Sequence, residues 1–181
     1  NPSLGKSINL DSFEPLVKIS KQKKVRQFIY ASSSSVYGIK EEKNVDESMS
    51  LEPLTDYSKF KADCEKILDM YGDDSFTVTS IRPATVCGYA RRQRLDVIVN
   101  ILTNFAYHKK EIQIFGGKQI RPNIHIDDLI DLYLYIIKKK ITGTYNAGFE
   151  NLSILNIAKK VQKKINCKIE IIKNNIDLRS Y

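Results

Sequence analysis

Short apolar runs of strand length alternate along this chain with amphipathic stretches of helix length. That alternation points to an α/β architecture, in which buried strands read as apolar runs and helices cover the sheet. Gln27–Ala31 is a short buried strand, and Phe76–Ile81 a second that Pro83 ends. Between them, a polar loop with Gly38 and Pro53 leads into Tyr57–Tyr71, an amphipathic helix closed by Gly72. Asn9–Lys24 reads as a helix in spite of Pro15. Leu95–Tyr107 is helical, with Leu95, Ile98, Val99 and Leu102 on one face. Ile112–Phe115 is a strand stopped by Gly116 and Gly117, and Thr144–Asn146 and Lys168–Ile172 are further strands. Asp127 and Asp128 open the helix Leu129–Lys138, where carboxylates cap free N–H groups. Ser153 caps a helix with Ile154, Ile157, Ala158, Val161 and Ile165 on one face. The order divides the chain into a parallel-sheet half, residues 1–88, and a smaller mixed α/β lobe, residues 89–181, with segments exchanging between them.

Composition narrows the function classes. With 42% hydrophobic and 28% charged residues the chain buries a core and is not compositionally disordered. No run approaches the ~18 apolar residues that span a bilayer, and no secretory leader is visible, so no membrane partner is expected. The net charge of +8 attracts anions such as a diphosphate. Its lysine runs, Lys138–Lys140 and Lys159–Lys164 among them, read first as solvated faces. Aromatics do not interleave with them as a stacking platform requires, which argues against a nucleic-acid module. Cys64, Cys87 and Cys167 are scattered and odd in number, without metal-ligand spacing, which fits the reducing cytoplasm and neither a disulfide framework nor a zinc site.

The chemistry concentrates in Ser32-Ser33-Ser34-Ser35-Val36-Tyr37-Gly38 and in Tyr57-Ser58-Lys59-Phe60-Lys61. Residues four apart on a helix share a face, so Tyr57 and Lys61 point the same way. A phenol is a poor base at its usual pKa of about 10, and a neighbouring ammonium stabilises the phenolate. Such a phenol can exchange a proton with a sugar hydroxyl near neutral pH, and a serine hydroxyl beside it can share that proton. The serine run follows an apolar strand directly, where α/β sheets carry their functional loops. Taken alone, a Tyr-x-x-x-Lys pair is more often a surface helix, and a serine run can be a mere turn. The combination, in this order and followed by a strand ending in Arg82-Pro83, is far more specific.

That order resembles the extended short-chain dehydrogenase/reductase family, the NAD-dependent nucleotide-sugar epimerases and dehydratases. The resemblance covers nearly the whole chain. It extends to Ile8-Asn9-Leu10, to Ile81-Arg82-Pro83-Ala84-Thr85-Val86-Cys87-Gly88, to Arg121-Pro122-Asn123-Ile124-His125-Ile126-Asp127-Asp128 and to Asp177-Leu178-Arg179-Ser180-Tyr181. It implies a Rossmann-like doubly wound parallel sheet. It assigns catalysis to Ser33, Tyr57 and Lys61. Cofactor binding falls to Asn9, Ser32, Tyr57, Lys61 and Pro83. Ser34, Thr85, Arg121 and Arg179 would bind substrate, the two arginines holding the diphosphate through their planar forks. NAD is the implied cofactor, a nucleotide-diphosphate sugar the implied substrate, and a homodimer the implied assembly. That dimer would pair the Asn9–Lys24 and Tyr57–Tyr71 helices, whose outward faces carry Phe13, Leu16, Phe60 and Leu68, although some of these must pack inward. His125 is expected to be structural and Cys87 to pack.

Departures from the family pattern sharpen the reading. Its 4,6-dehydratases usually carry an acidic residue just after the catalytic Ser/Thr, where this chain has Ser34 and Ser35. That favours epimerisation, and the SSSSVYG run looks like that of uronate-type 4-epimerases; a dehydratase, decarboxylase or reductase acting on the same substrates is the alternative, and a non-catalytic basic binding module a distant one. Thr85 stands where a substrate-binding Asn is usual, and Pro122 and Asn123 replace the common Asp and Phe. No G-x-x-G-x-x-G occurs in the chain. The resemblance places that cofactor-binding turn, with the first βαβ half, within roughly one hundred residues upstream of Asn1. The chain therefore reads as an N-terminally truncated fragment.

Overall fold

The computed structural model describes residues 2–42 and 44–172, which divide into two compact units. Of the described residues, the first comprises those up to 84 together with 131–147, and the second 85–130 together with 148–172.

In the first unit, α1 (Pro2–Lys6) runs through a π-helical turn, Ser7–Asp11, into α2 (Phe13–Gln22). The expected Asn9–Lys24 helix is thus broken into parts. Pro15 lies in the first turn of α2, where a missing N–H costs little, and the widened turn before it leaves room for the ring. Strand β1 (Gln27–Ala31) follows, then a single 3₁₀ turn, Ser34–Tyr37, and α3 (Asp56–Asp69). Strand β2 (Thr77–Pro83) pairs in parallel with β1, Ile29 opposite Thr79. On its other side β2 pairs in parallel with β6 (Gly143–Ala147), Ile81 opposite Tyr145.

One face of this sheet is closed by Phe13 and Val17 of α2 and by Cys64 and Leu68 of α3, packed against Phe76 and Val78. Phe13 and Leu68 therefore point into the core and not outward, because the apolar stripe of each helix must cover the sheet. Leu16 of α2 stays exposed. Gly72 follows α3, which ends at Asp69. A Cβ there would lie 2.6 Å from the Val78 side chain, so glycine allows the turn to close against β2.

The second unit holds β3 (Thr85–Cys87), α4 (Ile98–Lys109), β4 (Glu111–Phe115) and β5 (Ile120–His125), then β7 (Glu150–Ser153), α6 (Ile154–Lys164) and β8 (Lys168–Ile172). Strand β5 lies between β3 and β7, parallel to the first and antiparallel to the second. Strands β4 and β8 form a separate parallel pair. Leu102 and Ala106 of α4 pack with Ile112, Ile114 and the stripe Ile154, Ile157, Ala158 and Val161 of α6. Ser153 caps α6 as expected, its hydroxyl accepting from Asn156 N–H at 3.1 Å.

Helix α5 (Ile126–Lys139) starts in the second unit and finishes in the first. Its first free N–H is met differently from the expectation. The His125 Nδ1 accepts from Asp127 N–H at 3.3 Å, because α5 leaves β5 without a loop and the preceding ring reaches the helix end. No described helix is long and apolar enough to cross a membrane.

Candidate active site

The serine run is an ordered turn at the C-terminal end of β1. Ser33, extended at φ −160° and ψ 145°, caps the 3₁₀ turn: its hydroxyl accepts from Ser35 N–H at 3.2 Å and from the Ser35 hydroxyl at 2.9 Å. Ser34 is half-buried at the first position of that turn. Gly38 ends it at φ 71°, where a Cβ would fall 2.1 Å from the Glu52 carbonyl oxygen; only glycine permits this closure. Ser32 is buried, and its hydroxyl has no hydrogen-bond partner among the described residues. A buried hydroxyl left open at a strand's C-terminal end is suited to a ligand group.

Helix α3 begins with a reciprocal cap. Thr55 Oγ1 accepts from Ser58 N–H, and the Ser58 hydroxyl accepts from Thr55 N–H. This fixes the first turn, and with it Tyr57. Down one stripe of α3 the burial deepens from Tyr57, about half exposed at 52%, through Lys61, half-buried, to Glu65, only 3% exposed. The Lys61 ammonium donates to the Ala31 carbonyl at 2.6 Å and so ties the helix to the end of β1. It lies 5.6 Å from the Tyr57 ring centre and 4.8 Å from that of Tyr30. Burial lowers the Lys61 pKa, while the nearby Glu65 carboxylate acts in the opposite direction.

The structure thus brings Tyr57, Lys61 and the strand end before Ser32 and Ser33 together. Pro83 closes β2 opposite Ala147. Asn9 is exposed, and its amide donates to the Gly5 carbonyl at 2.8 Å within its own helical turn; its backbone carbonyl accepts from the Cys64 thiol at 3.1 Å.

In the second unit, Thr85 opens β3 opposite Asn123 of β5. Arg121 of β5 is buried, with 8% exposure, and its Nη1 donates to the Ile120 carbonyl at 3.2 Å. Arg179 lies outside the described residues.

Four residues near the site were assigned no role by the motif reading: Tyr37, Glu65, Arg82 and Asn146. Glu65 and Arg82 form a buried ion pair in which Arg82 Nη2 donates to Glu65 Oε2 at 2.7 Å and Nε to Oε1 at 3.0 Å. Arg82 Nη1 also donates to the Tyr37 hydroxyl at 2.6 Å, and that hydroxyl donates to Asn146 Oδ1 at 2.8 Å. The signal for the pair was present in the sequence. Glu65 continues the Tyr57, Lys61 spacing on a stripe next to apolar Ala62, Cys64 and Leu68, and Arg82 sits within an apolar strand. Buried charges of this kind require partners.

A parallel sheet whose strand ends in a serine turn, next to a helix carrying Tyr-x-x-x-Lys, is the layout of a Rossmann-fold enzyme of the short-chain dehydrogenase/reductase class. The sequence model of the NAD dependent epimerase/dehydratase family matches residues 2–148, and the chain belongs to that family. It is 30% identical over 158 residues to the uncharacterized UDP-glucose epimerase YtcB of Bacillus subtilis, covering 85% of this chain and 49% of that protein. It is also 30% identical over 159 residues to the dTDP-D-glucose 4,6-dehydratase of Bos taurus, covering 85% and 44%. The chain spans about half the length of these curated relatives. Among solved structures, the ADP-L-glycero-D-manno-heptose-6-epimerase of Helicobacter pylori aligns with a TM-score of 0.83 at 26% identity, over 96% of this chain and 56% of that one. The UDP-glucuronic acid 4-epimerase of Bacillus cereus, in complex with UDP-glucuronic acid and NAD, aligns with a TM-score of 0.75 at 31% identity, over 91% and 54%.

Proposed function

We propose that the complete protein carrying this chain is an NAD-dependent epimerase acting at C4 of a nucleotide-diphosphate sugar. The observation that carries this reading is the Lys61 ammonium, fixed on the Ala31 carbonyl at 2.6 Å and 5.6 Å from the Tyr57 ring, beside the Ser33 turn. Tyr57 takes the proton of the sugar hydroxyl and later returns it. Ser33 shares that proton by hydrogen bonding and holds the hydroxyl in line. Lys61 supplies positive charge beside the phenol oxygen and offers its remaining N–H groups to the cofactor. NAD, if held beside Tyr57 and Lys61, would supply reversible hydride transfer at the sugar carbon. Ser32, with its open hydroxyl, would hold the cofactor together with Lys61, Pro83 and Asn9. Residues 1–88 would form the cofactor half and residues 89–181 mainly the substrate half. Ser34 and Thr85 would face the sugar, with Arg121 and Arg179 on its diphosphate.

The likeness to the UDP-glucuronic acid 4-epimerase supports the C4 assignment, as do the hydroxyls of Ser34 and Ser35 at positions that carry acids in the family's dehydratases. The 4,6-dehydratase relative supports water elimination as a second reading. Free thiols at Cys64, Cys87 and Cys167 suit a reducing cytoplasm. Exposed Leu16 and Ile19 on α2 suit pairing of two copies along that helix.

The experiment is to incubate the complete gene product with UDP-glucose, UDP-glucuronic acid and dTDP-glucose and to follow the sugar protons by NMR. A mixture of C4 epimers is expected for at least one substrate. A 4-keto-6-deoxy product would establish the second reading instead, and unchanged substrates would reject both.

A further inference from the structure

The stripe Tyr57, Lys61, Glu65 does not end at the helix surface. Glu65 accepts from Nε and Nη2 of Arg82 on β2, Arg82 Nη1 donates on to the Tyr37 hydroxyl in the serine turn, and Tyr37 donates to Asn146 on β6. Asn146 is fixed in turn: its Nδ2 donates to the Val45 carbonyl at 3.1 Å and its backbone N–H to Glu47 at 2.7 Å. The chain of bonds therefore runs from the helix that carries Tyr57 and Lys61 to the turn that carries Ser33 and Ser34. Glu65, Arg82 and Tyr37 are all at least nine-tenths buried, at 3%, 6% and 4% exposure.

Tyr37 is the joint of this strut. Its ring packs with Val36 and Ala62, its hydroxyl is used once as acceptor and once as donor, and Arg82 Cζ lies 4.9 Å from its ring centre. A phenylalanine would fill the same space and keep the apolar contacts while breaking both hydrogen bonds. Packing alone thus does not explain a tyrosine here. A link of two charge-assisted bonds through buried groups holds orientation more firmly than an exposed turn can.

We propose that Tyr37 is a positioning residue: through Arg82 and Glu65 on one side and Asn146 on the other, it holds the Ser33 turn at a fixed offset from Tyr57 and Lys61. This rests on the epimerase reading above, since it concerns the alignment of the hydroxyl that Ser33 and Tyr57 share. Displacement of a catalytic group by a fraction of an ångström to an ångström costs about tenfold to a hundredfold in rate with little change in binding.

The test is a double-mutant cycle in the complete gene product: wild type, Tyr37→Phe, Asn146→Ala and the double variant. Readouts are kcat, KM for the best nucleotide sugar, bound NAD and melting temperature. Each single variant is expected to lower kcat about tenfold, with KM within about twofold and NAD content unchanged. The double variant is expected to be no slower than the slower single one, because both break the same strut. Wild-type kcat in Tyr37→Phe overturns the proposal, as do losses that multiply or a fall in kcat matched by loss of NAD in a protein that still folds. Should Tyr37→Phe not fold, Asn146→Ala carries the test alone, and an unchanged kcat there overturns it. An inactive wild type instead rejects the epimerase reading itself, a result distinct from active wild type with unaffected variants.

Discussion

Each unit of this molecule buries an arginine, and different roles are proposed for the two. Arg82, with 6% exposure, spans three elements of the first unit: it meets the Glu65 carboxylate on α3 and the Tyr37 hydroxyl in the serine turn. Arg121, with 8% exposure in the second unit, donates to the carbonyl of its own neighbour Ile120. Burial alone therefore does not say what an arginine is for. A guanidinium bound to a buried carboxylate across elements belongs to the frame. The role proposed for Arg121 is external, on the phosphates of a ligand, so the two should fail in different assays.

The frame gives the largest effect. Arg82→Leu leaves the Glu65 carboxylate buried without its partner and should lower folding stability by about 3–5 kcal/mol, read by urea denaturation. Replacing Glu65 and Arg82 together by leucine should cost much less, since no charge is then stranded. Equal losses in the single and double variants would mean that the pair acts through packing alone. Arg121→Ala should weaken nucleotide-sugar binding by roughly 2–3 kcal/mol by calorimetry while NAD binding is kept. Unchanged sugar affinity would remove Arg121 from the proposed site, and a matched loss of NAD affinity would place it with Arg82 in the frame.

A surface pair supplies the smallest effect and the contrast to both. Asp73, in the turn before β2, pairs with Lys21 and accepts from Ser75, and these hydrogen bonds hold its carboxyl well below the usual range. A carboxyl depressed by folding contributes stability above its unfolded pKa of about 3.9, and that contribution is lost as pH falls toward the folded value. Asp73→Asn should therefore melt slightly below wild type at pH 6, with the gap closing toward pH 2. A gap that stays constant across this range would show that the turn depends on shape and not on charge.

How much of this was legible in the sequence follows the range of the interactions. Strands β1 and β8 and the cap at Ser153 were readable because periodicity and capping are local. The break of the first helix around Pro15 and the close approach at Gly72 were not, since both depend on what packs nearby. The short strands β3, β5 and β7 carry little pattern of their own; β5 even contains Pro122. In the candidate site, the shared face of Tyr57 and Lys61 was legible from their spacing on a helix, and Ser33 was assigned by the family resemblance. Tyr37 and Asn146 were not legible, because their bond joins residues 109 apart in the chain.

The central claim is that Tyr57 carries the proton in a reversible oxidation of the sugar. The most direct measurement is the epimerisation rate of the complete gene product with Tyr57→Phe, alongside wild type, with bound NAD and melting temperature recorded for both. Tyr57 is half exposed at the start of a capped helix, so removal of its hydroxyl should leave the fold and the cofactor in place. The account predicts loss of about 10²–10⁴-fold in kcat, the usual contribution of a positioned acid–base group. Turnover at the wild-type rate in a folded, NAD-loaded Tyr57→Phe protein would contradict it.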